Sequence, residues 1–145
     1  MNEFNSQVCT SIEQSKRLLE LGLNPETADC TLAIFNGEPV AFIGQTKIDC
    51  SKITINGNEI EKIEIIHYPA WSLHRLIELL PQDIHLDDYA DTHYYLTINP
   101  FKVIYVNSHR LWIYQRDEGC LYDELIDTIE WTIKNNFFNK EYLNQ

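Results

Sequence analysis

Short turn signals divide the middle of this sequence into segments that are long enough only for short strands. Two of these signals are the Asn-Gly pairs Asn36-Gly37 and Asn56-Gly57, each of which lies between β-prone residues. Asn-Gly predicts a tight β-hairpin, because both residues tolerate a positive φ. Strands joined by such short connections run antiparallel, so the sequence predicts an antiparallel sheet.

The predicted strands form two hairpins and a three-stranded meander. Alternating or β-prone residues place the hairpin strands at 31–35, 40–43 and 52–55, and the meander strands at 93–98, 102–106 and 110–115. The second hairpin has a return strand whose register the sequence leaves open. The polar, acidic stretch 81–92 ahead of the meander is predicted to be a loop.

Three segments carry apolar residues at helical spacing, and they cover 11–21, 72–80 and 122–138. A capping box at either Thr10 or Ser11 begins the first helix, and the last helix is the longest. Helices on one face of an antiparallel sheet make an α+β fold. Because the chain has no repeat and no linker, we expect a single domain over 1–145.

The chain is strongly acidic, with 22 acidic and 11 basic residues and a formal net charge of −11. Such a surface repels phosphate backbones and anionic membranes, so neither direct nucleic-acid binding nor a membrane partner is expected. No apolar run approaches the ~18 residues of a membrane-spanning helix. The charge leaves open a second interpretation, in which the protein imitates nucleic acid and occupies a basic site on another protein.

The cysteines are too widely spaced for a metal knuckle or a redox pair, and they are Cys9, Cys30, Cys50 and Cys120. The first residues lack the basic start and apolar stretch of a signal peptide. We therefore expect reduced thiols and a cytoplasmic location. No phosphate-binding or dinucleotide-binding glycine motif is present, so no cofactor is predicted.

Two parts of the chain resemble known proteins. The first helix carries the pattern Gln14-x-x-x-Leu18-x-x-x-Gly22, and the segment Pro69-Ala70-Trp71-Ser72 opens a second helix that ends in Leu79-Leu80-Pro81. These features resemble small proteins of unknown function that are encoded by prophages and conjugative elements of gut bacteria. The resemblance implies an accessory protein of a mobile element. It implies no activity, because the matching positions are helix caps and core residues.

One cluster of side chains is a candidate metal site. Carboxylates and imidazoles that bind divalent metals lie close together at Asp83, His85, Asp87, Asp88, Asp91 and His93. The spacing lacks the central glycine and terminal glutamate of an EF-hand loop, and the helical histidine pair of a zinc protease is also missing. Solvated aspartates in a loop are the alternative interpretation. A nucleophilic role for Cys120, just ahead of the last helix, is a weaker hypothesis.

Aromatic residues are concentrated in the meander, at Tyr94, Tyr95, Tyr105, Trp112 and Tyr114. Strand alternation sends some of these rings to each face of the sheet. RNA-binding sheets stack bases on such rings, but the acidic surroundings favour core packing and contact with helices.

The last helix predicts an interface. Trp131 and Phe138 fall opposite its core stripe when residues advance by 100°. Exposed aromatics there favour contact with a second subunit or a partner, whereas a frayed helix end or a covering N-terminal segment would bury them. From these observations we expect an accessory protein that acts through protein–protein interaction, either with a partner protein or as a homo-oligomer. The alternatives are an acidic nucleic-acid mimic and a small metal-dependent enzyme.

Overall fold

The computed structural model describes residues 7–35, 37–45, 53–55, 57–60, 65–87 and 92–144. Helices in these ranges are α1 (Ile12–Glu20), α2 (Leu73–Leu79) and α3 (Leu121–Lys134), and short 3-10 turns cover Pro25–Thr27 and Lys140–Tyr142. The strands are β1 (Cys30–Phe35), β2 (Glu38–Ile43), β3 (Ile53–Ile55), β4 (Asn58–Ile60), β5 (Ile66–Ala70), β6 (Asp83–Leu86), β7 (Thr92–Asn99), β8 (Lys102–Val106) and β9 (Trp112–Arg116). The predicted α+β fold is confirmed, and α3 is the longest helix described, with 14 residues.

The described strands form two sheets and a separate hairpin. The first sheet has the order β2-β1-β5, the second has the order β6-β7-β8-β9, and β3 pairs with β4. All pairs are antiparallel, as predicted. Gly37 and Gly57 adopt φ values of 83° and 79°, which suits their places in the two hairpin turns. Asn36 and Asn56, the other halves of these turn signals, lie outside the described residues.

The stretch that the sequence predicted as a loop contains a strand. β6 pairs with β7 over its whole length, so the loop prediction for 81–92 is wrong there. Asp83 and His85 alternate with Ile84 and Leu86, which is the period of a half-buried strand, and Ile84 is only 2% exposed. The polar, acidic composition of the segment favours a loop, but its alternation outweighs that preference and places Ile84 in the core. β5 was likewise not predicted as a strand of its own.

Local hydrogen bonds explain where α1 and α2 begin. The Ser11 hydroxyl accepts from the Gln14 N–H at 3.2 Å, and the Gln14 side chain accepts from the Ser11 N–H at 3.0 Å. This is the second of the two predicted capping boxes. Ser72 caps α2 by accepting from the Arg75 N–H at 3.1 Å. Gly22 follows α1 with a φ of 94°, a conformation that glycine adopts without strain.

α3 ends before the predicted boundary at 138. Asn136 has a φ of 60°, and the N–H groups of Phe137 and Phe138 both donate to the Thr132 carbonyl, at 2.9 and 3.2 Å. This left-handed turn reverses the chain after the helix. Phe138 therefore enters the core, where it is 5% exposed.

The main core joins all three helices to the second sheet, and it includes Leu18, Leu23, Trp71, Leu76, Val103, Leu125, Ile129 and Phe138. α1 packs on β5, α3 packs on β8 and β9, and both α1 and α2 pack on α3. The helices thus connect the two sheets. No helix in the described part of the chain combines the length and the apolar character needed to cross a membrane.

The last described residues are tied to the end of α1. Leu23 and Leu143 form an antiparallel bridge. The Asn24 N–H donates to the Tyr142 carbonyl at 2.8 Å, and the Asn144 N–H donates to the Gly22 carbonyl at 2.7 Å. We call this pairing of 22–24 with 142–144 the C-terminal clasp.

Candidate interaction face

The second sheet has two faces of different character. Its inner face lies against α3, where Trp131 stacks on Tyr105 at 5.8 Å and packs on Tyr114 at 4.6 Å between ring centroids. Strand pairing places a different set of side chains on the opposite side, which we call the outer face: Asp83, His85, His93, Tyr95, Thr97, Ile104, Val106, Trp112 and Gln115. Ile104 is buried at 7% exposure, and the aromatic residues of the face are not.

One row of the outer face crosses all four strands. Register pairs Asp83 with Tyr95, Tyr95 with Val106, and Val106 with Trp112. Tyr95 is 51% exposed and Trp112 is 59% exposed. Two large aromatic side chains therefore flank a half-buried valine, on a row that begins at a carboxylate.

A β-bulge turns Trp112 outward. Tyr105 pairs with Tyr114, but the next residue, Val106, pairs with Trp112, so Ile113 is the extra residue on β9. Without the bulge Ile113 would stand beside Val106 and Trp112 would point towards α3. Instead Ile113 packs into the inner cluster with Tyr105. Bulges commonly redirect a side chain in this way at sheet edges.

Two histidines extend the aromatic row. The His85 and His93 rings stack with centroids 4.4 Å apart, and the His93 ring stacks on Tyr95 at 6.3 Å. His93 Nδ1 lies 2.9 Å from the Asp83 carboxylate, and His85 lies 3.9 Å from that of Asp87. The outer face thus carries a run of stacked rings with carboxylates beside it.

The metal-site hypothesis receives little support from this geometry. The structure brings Asp83, His85 and His93 onto one face, and the Asp87 side chain is 97% exposed at the end of β6. Asp88 and Asp91 lie outside the described residues. Within the described ranges, no three histidine, cysteine or acidic side chains are grouped so that they could hold a metal ion.

The two aromatic residues predicted as an interface on α3 have contacts within the chain. Trp131 is half-buried among Tyr105, Tyr114 and Phe137, and Phe138 lies in the main core against Tyr142. The exposed aromatic patch that motivated this interface is therefore not present. The helical projection placed Phe138 wrongly, because the chain leaves the helix before that residue. The bulge and the sheet then bring Tyr114 and Tyr105 over Trp131.

Two of the three described thiols are buried, and the third is exposed. Cys9 and Cys30 are buried together, and burial, with the nearby Asp29 carboxylate, raises the pKa of the Cys30 thiol to about 11. A thiol with so high a pKa stays protonated and unreactive near neutral pH. Cys120 is exposed at the start of α3, where its thiol donates to the Asp123 carboxylate at 3.2 Å. Cys50 lies outside the described residues.

Several carboxylates on α3 are already paired with cations. Arg17 contacts Asp127 at 2.7 Å and Glu130 at 2.6 Å. Arg116 and Lys134 contact the same two carboxylates, at 2.9 and 2.7 Å respectively. This network pairs the negative charges on that side of α3 with cations from three parts of the chain.

Comparisons with protein-family models, with curated proteins and with solved structures found no match for this chain. The sequence located Tyr95 and Trp112 in the meander but favoured core packing for the rings. Strict alternation puts Trp112 and Tyr114 on the same face, and the bulge separates them. The alternation in 83–86 was the one available signal for the fourth strand.

Proposed function

We propose that this protein is a non-enzymatic binding protein that docks a partner protein on the outer face of the second sheet. The observation that carries the proposal is the exposure of Tyr95 and Trp112, at 51% and 59%, on one row of that face. Tyrosine and tryptophan are the residues that most often anchor protein interfaces. A continuous aromatic surface on a folded protein commonly marks an interaction site.

The charge of the protein selects the chemistry of the partner. With a net charge of −11, the chain attracts basic surfaces over a distance and repels acidic ones. Arginine side chains stack on tyrosine and tryptophan rings and pair with carboxylates such as Asp83 and Asp87. We therefore expect the partner to present an arginine-containing basic surface. The proposal includes the cytoplasmic location and the mobile-element origin that the sequence favours.

A crosslinking experiment tests the outer face directly. A photoreactive amino acid at position 95 should capture one main partner from a lysate of the host, and the same probe at position 101 should not. Phe101 is the matched control, because it is 80% exposed in the β7–β8 turn, at the far end of the sheet from Tyr95. Equal capture from both positions would contradict the proposal.

Variants then test the contribution of each ring to binding. Tyr95→Ser with Trp112→Ser should reduce affinity for the purified partner by at least tenfold, whereas Phe101→Ser should leave it unchanged. Far-UV circular dichroism confirms that the variants fold. Affinity should also fall as salt rises, because opposite charges drive the association. A partner that binds the double variant normally would show that it docks elsewhere.

A further inference from the structure

The edge strand of the first sheet is unusual in composition. Among the described strands, β2 pairs with β1 alone, and its residues are exposed except for the half-buried Phe42. Ile43 is 86% exposed and Val40 is 43% exposed. The strand carries a single charge, Glu38, although edge strands are normally protected by several charged residues. The strand is therefore open to pairing with another strand.

The pairing with β1 determines which backbone groups of β2 remain available. Phe35 pairs with Glu38 across the two-residue turn, and the Gly44 N–H donates to the Asp29 carbonyl at 2.7 Å. Hydrogen-bonded positions alternate along an antiparallel pair, so Pro39, Ala41 and Ile43 direct their backbone groups away from β1. Proline has no N–H to donate. Ala41 and Ile43 are the two residues of β2 whose outward N–H groups can join a new ladder.

We infer that β2 pairs antiparallel with β2 of a second copy of this chain, with Ala41 of one copy opposite Ile43 of the other. This register pairs every outward donor and acceptor of the two residues and makes four hydrogen bonds between the copies. Phe42 of each copy then lies opposite Phe42 of the other on the twofold axis. The exposed Ile43 side chain packs beside Ala41 of the second copy.

The neighbouring register is worse because of Pro39. If Ala41 lay opposite Ala41, Ile43 would lie opposite Pro39, and the Ile43 carbonyl would meet a residue that cannot donate a hydrogen bond. Two carbonyl groups of the dimer would then lack partners. Proline in the edge strand thus disfavours that register relative to the one that is centred on Phe42.

Electrostatics permits two acidic chains to associate at this edge. In the Phe42-centred register the two copies of Glu38 lie about 27 Å apart along the strands, at ~3.4 Å per residue. That distance exceeds the ~8 Å screening length at physiological salt, so their repulsion is small. The rest of β2 is uncharged.

The other edges of the two sheets are less suited to self-pairing. Hydrogen-bonded positions alternate along the pair of β5 with β1, so the backbone of Pro69 faces outward. Proline has no N–H to donate to a new strand. β6 and β9 carry Asp83 and Arg116 at their edges. β2 thus combines two adjacent outward residues that keep their N–H groups, Ala41 and Ile43, with uncharged neighbours on either side.

Measurement of molar mass tests the inference. A strand pair buries less than the ~800 Å² per partner of a typical stable complex, so we expect a weak dimer that dissociates on dilution in the micromolar range. Sedimentation equilibrium should show the wild type as a dimer at high concentration. Ala41→Pro should abolish it, since the outward N–H is lost while every bond to β1 is kept. Ala41→Ser is the matched control, because it keeps that N–H and should dimerise like the wild type.

Either of two results would overturn the inference. One is a wild type that stays monomeric at concentrations well above the micromolar range, which would leave β2 available to the strand of a different protein. The other is an Ala41→Pro variant that dimerises as well as Ala41→Ser does, which would place the dimer contact elsewhere. The inference concerns the first sheet, so it stands or fails independently of the proposed function.

Disulfide crosslinking tests the register. In a background of Cys50→Ser and Cys120→Ser, Phe42→Cys should crosslink two copies under oxidised glutathione, because residues on the twofold axis come within ~4.5 Å between Cα atoms. Val40→Cys is the control, because the two copies of residue 40 lie about 14 Å apart in this register. Efficient crosslinking through position 40 and not through position 42 would contradict the pairing.

Discussion

Asp29 holds the start of α2 by accepting two hydrogen bonds from Ser72, one from its hydroxyl and one from its backbone N–H at 2.8 Å. Ser72 in turn caps α2 through the Arg75 N–H. The residue just before β1 therefore fixes the beginning of a helix more than forty positions further along the chain. Burial opposes the charged form of Asp29, but the Ser72 hydrogen bonds outweigh it and lower the pKa of the carboxyl group.

The first prediction concerns this carboxylate. Asp29→Asn should destabilise the protein by about 1 kcal/mol at neutral pH, because a charge-assisted hydrogen bond is lost at a partly exposed site. A lowered pKa means that the stabilisation is present above the ordinary pKa of aspartate and is lost as pH falls through the lowered value. Urea unfolding should therefore show a gap between wild type and variant that closes in acid. A gap that is independent of pH would contradict this account.

The second prediction concerns Glu124, a buried carboxyl group on α3. It is 1% exposed, and its Oε2 has no hydrogen-bond partner among the described residues. Burial, with help from the nearby Asp117, raises the pKa of Glu124. A raised pKa means that the folded state favours the neutral form, so this stabilisation is present below the ordinary pKa of glutamate and is lost as pH rises.

Glu124→Gln should therefore stabilise the protein by about 1 kcal/mol near neutral pH, since no charge then has to be buried. The advantage should shrink as the pH falls, because Glu124 then becomes protonated and is neutral like glutamine. Thermal melting at several pH values measures it. Glu13→Gln, an exposed residue in the first turn of α1, is the matched control and should change stability little. A Glu124→Gln variant that melts below the wild type at neutral pH would refute the prediction.

The third prediction concerns Trp131. Its ring contacts Tyr105, Tyr114 and Phe137, so Trp131→Ala should cost about 3 kcal/mol of folding stability. Denaturant unfolding measures this cost. Phe101→Ala, at an exposed turn residue, should cost less than about 0.5 kcal/mol. If Trp131→Ala left stability unchanged but weakened association, the original interface prediction for this residue would be restored.

The fourth prediction concerns thiol reactivity in the folded protein. Cys120 is exposed and should react rapidly with a thiol reagent, whereas Cys9 and Cys30 should react only after unfolding. The pKa of about 11 for Cys30 keeps its thiolate fraction small even in mildly alkaline buffer. Mass spectrometry of alkylated peptides assigns each site. Rapid native labelling of Cys30 would show that the region around β1 opens.

The sequence predicted those features of the fold that depend on local chemistry. Interactions within a few residues fix the turns and the helix ends. They involve capping residues, such as Ser11 and Ser72, and glycines, such as Gly22 and Gly37. Hairpin pairing followed from the same signals. These interactions are short in range, so the pattern of residue types is sufficient to reveal them.

The features that the sequence did not reveal depend on contacts between distant residues. The bulge at Ile113 places Trp112 and Tyr114 on opposite faces of the second sheet. No local pattern of residue types specifies this bulge. Phe138 leaves the helix because the main core, which all three helices share, accepts its ring. The orientation of Tyr95 and Trp112, on which the proposed function depends, was decided by this tertiary packing and could not be read from alternation alone.

The C-terminal clasp has a consequence for biosynthesis. Leu23 is translated long before its bridge partner Leu143, and Leu18 is translated long before Phe138, which belongs to the same core. During synthesis α1 therefore emerges well before the segment 138–143 that completes its packing. Contacts of such long sequence separation slow folding and leave apolar surface open to chaperones meanwhile. The packing of α1 is in this sense completed late, when the segment 142–144 reaches the end of that helix.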